Sequence, residues 1–176
     1  MVLKTLSLKG VVAFFEKEYR DVVLRLDELQ EATKNLQFEG KLFSGRNIQS
    51  IERVAAYLKN KLQQHIKLDE KIIFPFLETY VPKLEPILRF LRAERNEFKA
   101  NLEEFDVLFT KVKESKNRPD YFKTVGELRE KGIYLVGLVR NHIQAENESV
   151  YKIIDQQLRD NEKKELLRRC RQFKKP

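Results

Sequence analysis

The chain has 176 residues, of which 35% are charged and only 6 are glycine and 5 proline. This composition favours long helices over a turn-rich β fold, and the length suits one domain of ordinary size. A single cysteine excludes an internal disulfide, so we expect a protein of the reducing cytoplasm.

The net charge of +8 is unevenly distributed along the sequence. Residues 162–176 hold seven Lys and Arg against two Glu, so most of the excess lies in a C-terminal tail. No groove-reading motif accompanies this tail, and we therefore do not expect a nucleic-acid partner. The first residues do not resemble a signal peptide, and no apolar run approaches the ~18 residues of a membrane span.

The apolar pattern predicts two helices in the first half of the chain. Helix one is predicted from about Leu8 to Leu36, and helix two from about Asn47 to Phe74. Gly40, Ser44 and Gly45 are expected to separate them. Pro75 is expected to close helix two, because a residue that precedes proline disfavours helical geometry. The apolar stripe of helix one consists of Val11, Phe14, Phe15, Val22, Leu26 and Leu29.

The second half repeats this plan. Pro82 and Pro86 mark the start of a third helix that runs to about Glu114, and residues 117–120 are predicted to form a turn. A fourth helix carries Leu128 to Ile154, in which Gly132 and Gly137 allow a close backbone approach. The sequence thus predicts one all-α domain over residues 1–176: an antiparallel up-down-up-down four-helix bundle with a short basic C-terminal helix from about residue 161.

The only two histidines are each followed four residues later by a carboxylate. His65 precedes Asp69, and His142 precedes Glu146. Residues at this spacing lie one above the other on a helix, so each tetrad can direct a nitrogen and an oxygen at one point. The interior of a helical bundle is where such side chains build metal sites. The two tetrads are therefore candidate metal ligands.

The two halves of the chain also align with each other at an offset of 76 or 77 residues. His65 corresponds to His142, and each is followed nine residues later by an aromatic. A pairing of two related helical hairpins is the simplest interpretation. The corresponding positions are Glu18-Tyr19 with Glu94-Arg95, and Phe74 with Tyr151.

The segment from His65 through Asp69 to Phe74-Pro75 resembles the second-helix motif of hemerythrin-like, HHE cation-binding domains. The segment from His142 through Glu146 to Tyr151 is similar to their fourth-helix motif. The resemblance covers about residues 8–158 and implies a four-helix bundle that holds a non-haem di-iron centre. It further implies a role in sensing or handling iron, oxygen or nitric oxide, with a small diatomic ligand as a partner.

This chain departs from the family pattern at two ligand positions. Family members supply further histidines from the first and third helices, where this sequence has Tyr19 and Arg95. The ligands that carry over are His65, Asp69, His142 and Glu146. The resemblance therefore implies a reduced metal site.

Two imidazoles and two carboxylates suit iron, manganese or zinc, as one or two ions. Tyr19 could add a phenolate, since a metal cation stabilises the deprotonated form. We expect iron and a sensing or storage-like role rather than reversible oxygen carriage, because the histidines that would hold two irons are missing. Classical enzyme motifs are absent from the sequence, and redox catalysis stays an open alternative.

The alternative is a metal-free interaction module. In that case Arg95 takes the place of the metal and hydrogen-bonds the carboxylates, and the basic tail meets an acidic partner. Two inward-facing carboxylates need a cation to compensate them, and either a metal or Arg95 could provide it.

Overall fold

The computed structural model describes residues 8–38, 40–115 and 119–174, and every regular element in these ranges is helical. The predicted all-α class is confirmed; the up-down-up-down arrangement and the single domain remain predictions. The side chains of residues 8–14, 16–18 and 40–43 lie outside the described residues, as do Asn117 and Arg118 of the predicted turn. Expectations for Val11, Phe14 and Glu18 are therefore untested.

The α-helices follow the predicted order. They are α1 (Leu8–Phe38), α2 (Gly40–Tyr57), α3 (Gln63–Leu68), α4 (Phe74–Tyr80), α5 (Glu85–Ser115), α6 (Tyr121–Ala145), α7 (Lys152–Gln157) and α8 (Asp160–Phe173). Three π-helical turns continue them, at Leu58–Leu62, Asp69–Ile73 and Glu146–Tyr151, and a 3₁₀ turn at Pro82–Leu84 precedes α5. None of these helices is both long enough and apolar enough to cross a membrane.

The predicted separator between the first two helices was wrong, because α2 already begins at Gly40. Ser44 is completely buried within this helix, and its hydroxyl hydrogen-bonds with Tyr121. The helix propensities of glycine and serine are only modestly unfavourable, so tertiary packing can override them.

Pro75 does not close helix two, contrary to prediction. The helical chain continues through α4 to Tyr80, and it ends at Val81, where the backbone leaves helical geometry before Pro82. The π turn Asp69–Ile73 directly precedes Pro75. A π turn is wider than an α turn, which leaves room for the proline ring beside the preceding carbonyls. Burial of Phe74 favours this path, with the Arg92 guanidinium 5.1 Å above its ring.

The described chain divides into two compact units. The first unit contains the chain up to Asp21, Gln63–Glu94 and the chain from His142 onward; the second contains Val22–Leu62 and Arg95–Asn141. Each unit has its own set of buried apolar side chains. Those of the first include Phe15, Leu68, Ile73, Phe74, Leu77, Leu88, Leu91, Val150, Ile154 and Leu166. Those of the second include Leu26, Leu29, Ile51, Val54, Leu102, Phe105, Val125, Leu128 and Leu135.

The glycines of α6 differ in their surroundings. A Cβ at Gly132 would lie 3.3 Å from Phe105 Cε2 and 3.4 Å from Thr33 Cγ2, whereas a Cβ at Gly137 would meet nothing within 4 Å. Of these two glycines, only Gly132 has the close approach that was predicted for the fourth helix.

These surroundings predict different effects of alanine at the two positions. Gly137→Ala should raise the free energy of unfolding by about 0.5–1 kcal/mol, because alanine costs less backbone entropy in a helix. Gly132→Ala should stabilise less or destabilise, because Phe105 and Thr33 must move. Urea denaturation of both variants measures the difference, and equal stabilisation would contradict the close packing at Gly132.

A surface network in the second unit surrounds Glu28. Its carboxylate accepts hydrogen bonds from Arg25 Nη1 and Ser50 Oγ, each at 2.7 Å, and from Arg53. Burial alone would raise the pKa of Glu28, but the hydrogen bonds from Arg53, Ser50 and Arg25 lower it to about 2 from 4.5.

This network predicts a pH-dependent contribution to stability. Because the pKa of Glu28 is lower in the folded chain, its contribution is complete above pH 4.5 and is lost as the pH falls toward 2. Glu28→Gln should cost about 1 kcal/mol at pH 7 and progressively less below pH 4.5, given the partial exposure of the network. Denaturant unfolding at several pH values checks this, with Glu31→Gln on the exposed face of α1 as the matched control. A cost that does not change with pH would refute it.

Candidate metal centre

The two carboxylates of the tetrads occupy equivalent positions in the backbone. Asp69 is the first residue of the π turn Asp69–Ile73, and Glu146 is the first residue of the π turn Glu146–Tyr151. Such turns are rare and frequently occur at functional sites. The internal repeat seen in the sequence thus extends to the local geometry of the helices.

His65, Asp69 and Glu146 form a buried cluster. One ligand atom from each lies within 4.8 Å of the other two. His65 Nε2 is 3.2 Å from Asp69 Oδ2 and 3.3 Å from Glu146 Oε2. Both carboxylates are only 1% exposed. A nitrogen and two carboxylate oxygens are therefore concentrated at one point shielded from water.

Glu146 connects this cluster to the second histidine. Its other oxygen, Oε1, lies 3.2 Å from His142 Nε2. The opposite nitrogen, His142 Nδ1, lies 3.0 Å from Glu94 Oε2. A carboxylate on the far side of a histidine fixes its ring and tautomer, which is how ligating histidines are commonly oriented in metal proteins. Glu94 thus orients His142 toward Glu146.

Electrostatics make Glu146 the centre of the cluster. Burial alone would raise the pKa of Glu146, but the hydrogen bonds with His142 and His65, and their positive charges, hold this pKa well below its usual range. A buried carboxylate stays ionised only when positive charge or hydrogen-bond donors compensate it. Glu146 is therefore an ionised oxygen donor inside the buried cluster.

The hydroxyl of Tyr19 lies inside this cluster. It donates a short hydrogen bond to Glu146 Oε2, and its oxygen is 2.9 Å from His65 Nε2. Burial raises the pKa of Tyr19 well above its ordinary value, with further contributions from the charges of Glu146, Tyr151 and Asp69. Tyr19 is thus a neutral phenol when only protons are available to the cluster.

Tyr151 is a further hydrogen-bond partner of Tyr19. The two phenol oxygens are 2.9 Å apart, and because Tyr19 donates to Glu146, Tyr151 donates to Tyr19. Phe15 stacks on the Tyr151 ring with centroids 4.4 Å apart and 23° between the planes. This stacking fixes the direction of the Tyr151 hydroxyl.

All five predicted site residues meet in the first compact unit. They are Tyr19, His65, Asp69, His142 and Glu146. Arg95, proposed above as a substitute for the metal, is buried and belongs to the second unit. Its role at the site remains a prediction.

Sequence reasoning missed the roles of Glu94 and Tyr151. Both had appeared in the alignment of the two halves, Glu94 opposite Glu18 and Tyr151 opposite Phe74. The role of Tyr151 could have been suspected from its hydroxyl, which Phe74 lacks, since a buried phenol usually has a hydrogen-bond partner.

The hemerythrin HHE cation-binding domain family matches residues 10–154, about four fifths of the chain. The chain belongs to this family. The match spans every residue of the site, from Tyr19 to Tyr151. No curated protein matches the chain significantly. That Tyr19 and Arg95 stand where family members have histidines remains an expectation from the sequence resemblance.

The hydrogen-bond network predicts unequal costs for removing its two phenol hydroxyls. Tyr19→Phe removes a hydrogen bond to the buried, ionised Glu146 carboxylate and should cost about 2–3 kcal/mol, whereas Tyr151→Phe removes one neutral hydrogen bond and should cost about 1 kcal/mol. Urea denaturation in the presence of a chelator measures both. A Tyr151→Phe variant that is destabilised as much as Tyr19→Phe would contradict the central position of Tyr19.

Proposed function

We propose that the chain binds a transition-metal cation, iron in the first place, through His65, Asp69, Glu146 and His142. The observation that carries this proposal is the buried cluster, in which ligand atoms of His65, Asp69 and Glu146 lie within 4.8 Å of one another. The family is one of cation-binding domains, which supports the same reading.

The donor set fits such a cation chemically. Two imidazole nitrogens and two carboxylates are ligands that Fe(II), Mn(II) and Zn(II) accept, and two histidines with one carboxylate are the set used by mononuclear non-haem iron. The bound cation would supply Lewis acidity and, for iron, one-electron redox chemistry. One ion rather than two follows from the reduced number of histidines.

The surrounding side chains have separate tasks. Glu94 holds the His142 ring with Nε2 toward Glu146, at a Nδ1–Oε2 distance of 3.0 Å. Glu146 connects the two histidines, since each of its oxygens lies within 3.3 Å of one Nε2. Asp69 is one methylene shorter than Glu146, and its carboxylate contacts His65, which lies four residues earlier.

We infer that the protein senses or stores the cation and does not carry oxygen reversibly.

A metal-free interaction module remains the competing function. The observation in its favour is that the histidines, carboxylates and Tyr19 hydrogen-bond one another directly. Such a network can persist in a helical interior without an ion. Under this alternative the chain binds no metal at all, which makes metal content the discriminating measurement.

Metal binding should depend on the two histidines. The full chain is stripped with a chelator, refilled anaerobically with Fe(II), Mn(II) or Zn(II), dialysed and assayed for metal. Bound metal should stabilise the wild-type chain by about 2.7 kcal/mol at a free concentration one hundred times Kd. His65→Ala and His142→Ala should lose both the metal and this stabilisation.

Two matched controls accompany this experiment. Glu70→Gln and Glu148→Gln remove exposed carboxylates one residue after Asp69 and two residues after Glu146, and they should retain wild-type metal content. If the wild-type chain retains none of the three metals after dialysis, the proposal fails and the metal-free module stands. Unchanged metal content in His65→Ala would place the site elsewhere.

A further inference from the structure

The position of Tyr19 bears on which cation the site prefers. Its phenol oxygen contacts two atoms of the cluster directly, His65 Nε2 at 2.9 Å and Glu146 Oε2 through a short hydrogen bond. Glu146 Oε2 is also the atom that lies 3.3 Å from His65 Nε2. The phenol proton therefore occupies space among the atoms proposed to hold the metal.

The charge of the cluster changes if this proton is replaced by a metal. Asp69 and Glu146 supply two anionic oxygens, and a phenolate at Tyr19 would supply a third. Three anionic donors are neutralised by a trivalent cation, whereas a divalent ion would leave an uncompensated negative charge in a buried place. Oxygen anions are hard donors that suit Fe(III), and tyrosinate is an established ligand of protein iron.

Tyr151 is positioned to support a phenolate. Its hydroxyl lies 2.9 Å from the Tyr19 oxygen, and its ring is stacked against Phe15. A donor aimed at an anionic oxygen makes a charge-assisted hydrogen bond, roughly twice as strong as a neutral one. The hydroxyl of Tyr151 would thus favour the anionic form of Tyr19.

We propose that Tyr19 binds the cation as a phenolate, that the site thereby prefers trivalent iron, and that Tyr151 is a positioning residue whose hydroxyl donates to the phenolate oxygen. This rests on the proposed function of the same cluster. When Fe(III) binds, the O–H bond of Tyr19 breaks, an iron–oxygen bond forms and the proton passes to solvent. No electron is transferred and no oxidant is needed.

The experiment uses the chelator-stripped full chain, loaded in parallel with Fe(III) citrate and with Zn(II). Metal content is measured by elemental analysis and the Fe(III) form by visible absorption. A phenolate bound to Fe(III) absorbs visible light through charge transfer from oxygen to iron, so the wild-type chain should be coloured. The Zn(II) form should be colourless, because Zn(II) is d¹⁰ and redox-inactive.

Three tyrosine variants assign the colour. Tyr19→Phe should lose the band and bind Fe(III) at least about tenfold more weakly, with a smaller loss of Zn(II) affinity. Tyr151→Phe should keep the band but move it to longer wavelength, because a phenolate without its donor gives up electron density more easily. Tyr80→Phe changes a half-exposed tyrosine of the same unit and should leave the band unchanged.

The outcomes separate the two proposals. If the wild-type chain holds Fe(III) without a visible band, or Tyr19→Phe keeps the band, the phenolate is refuted while cation binding stands. An unshifted band in Tyr151→Phe refutes the role of Tyr151. If neither Fe(III) nor any of the divalent metals is retained, the proposed function fails, and the preference for Fe(III) fails with it. Circular dichroism of each variant verifies that the helices are intact.

Discussion

The burial of two carboxylates is the constraint on which the rest of the site depends. Asp69 and Glu146 are 1% exposed, and an uncompensated buried charge costs several kcal/mol. Three neighbouring side chains offer them positive charge or a hydrogen-bond donor: His65 to both, and His142 and Tyr19 to Glu146. The negative charge of the carboxylates can be compensated by protons on the neighbouring side chains or by a metal bound to the same nitrogen and oxygen atoms. One arrangement therefore suits both a cation site and a closed polar network.

The backbone contributes to this arrangement through its π turns. Each acidic ligand candidate begins a π turn, and each such turn follows an α-helical segment that carries a histidine four residues earlier. The insertion of a wider turn changes the direction of the residues that follow it. Phe74 and Tyr151, nine residues after the two histidines, both end up buried, but only Tyr151 carries a hydroxyl for the site. The two similar halves thus differ at this position, where one has a phenyl ring and the other a phenol that hydrogen-bonds with Tyr19.

A tyrosine at the position where the family resemblance leads one to expect a histidine would change the charge preference of the proposed site. A histidine is a neutral ligand, whereas a bound tyrosine is anionic, so the same pair of carboxylates would then face a cation of higher charge. Glu94 and Tyr151 act one step further out, on His142 and Tyr19 respectively. Because these outer contacts fix rings and protons, the chemistry of the centre depends on residues that would never touch the metal.

The sequence by itself determined the all-α class and the order of the helices, and it predicted which side chains would lie together in the candidate site. These follow from apolar spacing, from two His-x3-acid tetrads and from a family resemblance, all of which are local or repeated patterns. Only the tertiary structure decided that the second helix begins at Gly40 and passes through Pro75. Burial of Ser44 outweighs a modestly unfavourable helix propensity, and the π turn Asp69–Ile73 accommodates the proline ring beside the buried Phe74. It likewise decided that Glu94 holds His142 and that Tyr151 meets Tyr19. The spacing of apolar residues within a helix does not show which distant helix it contacts, so these contacts could not be predicted from the sequence.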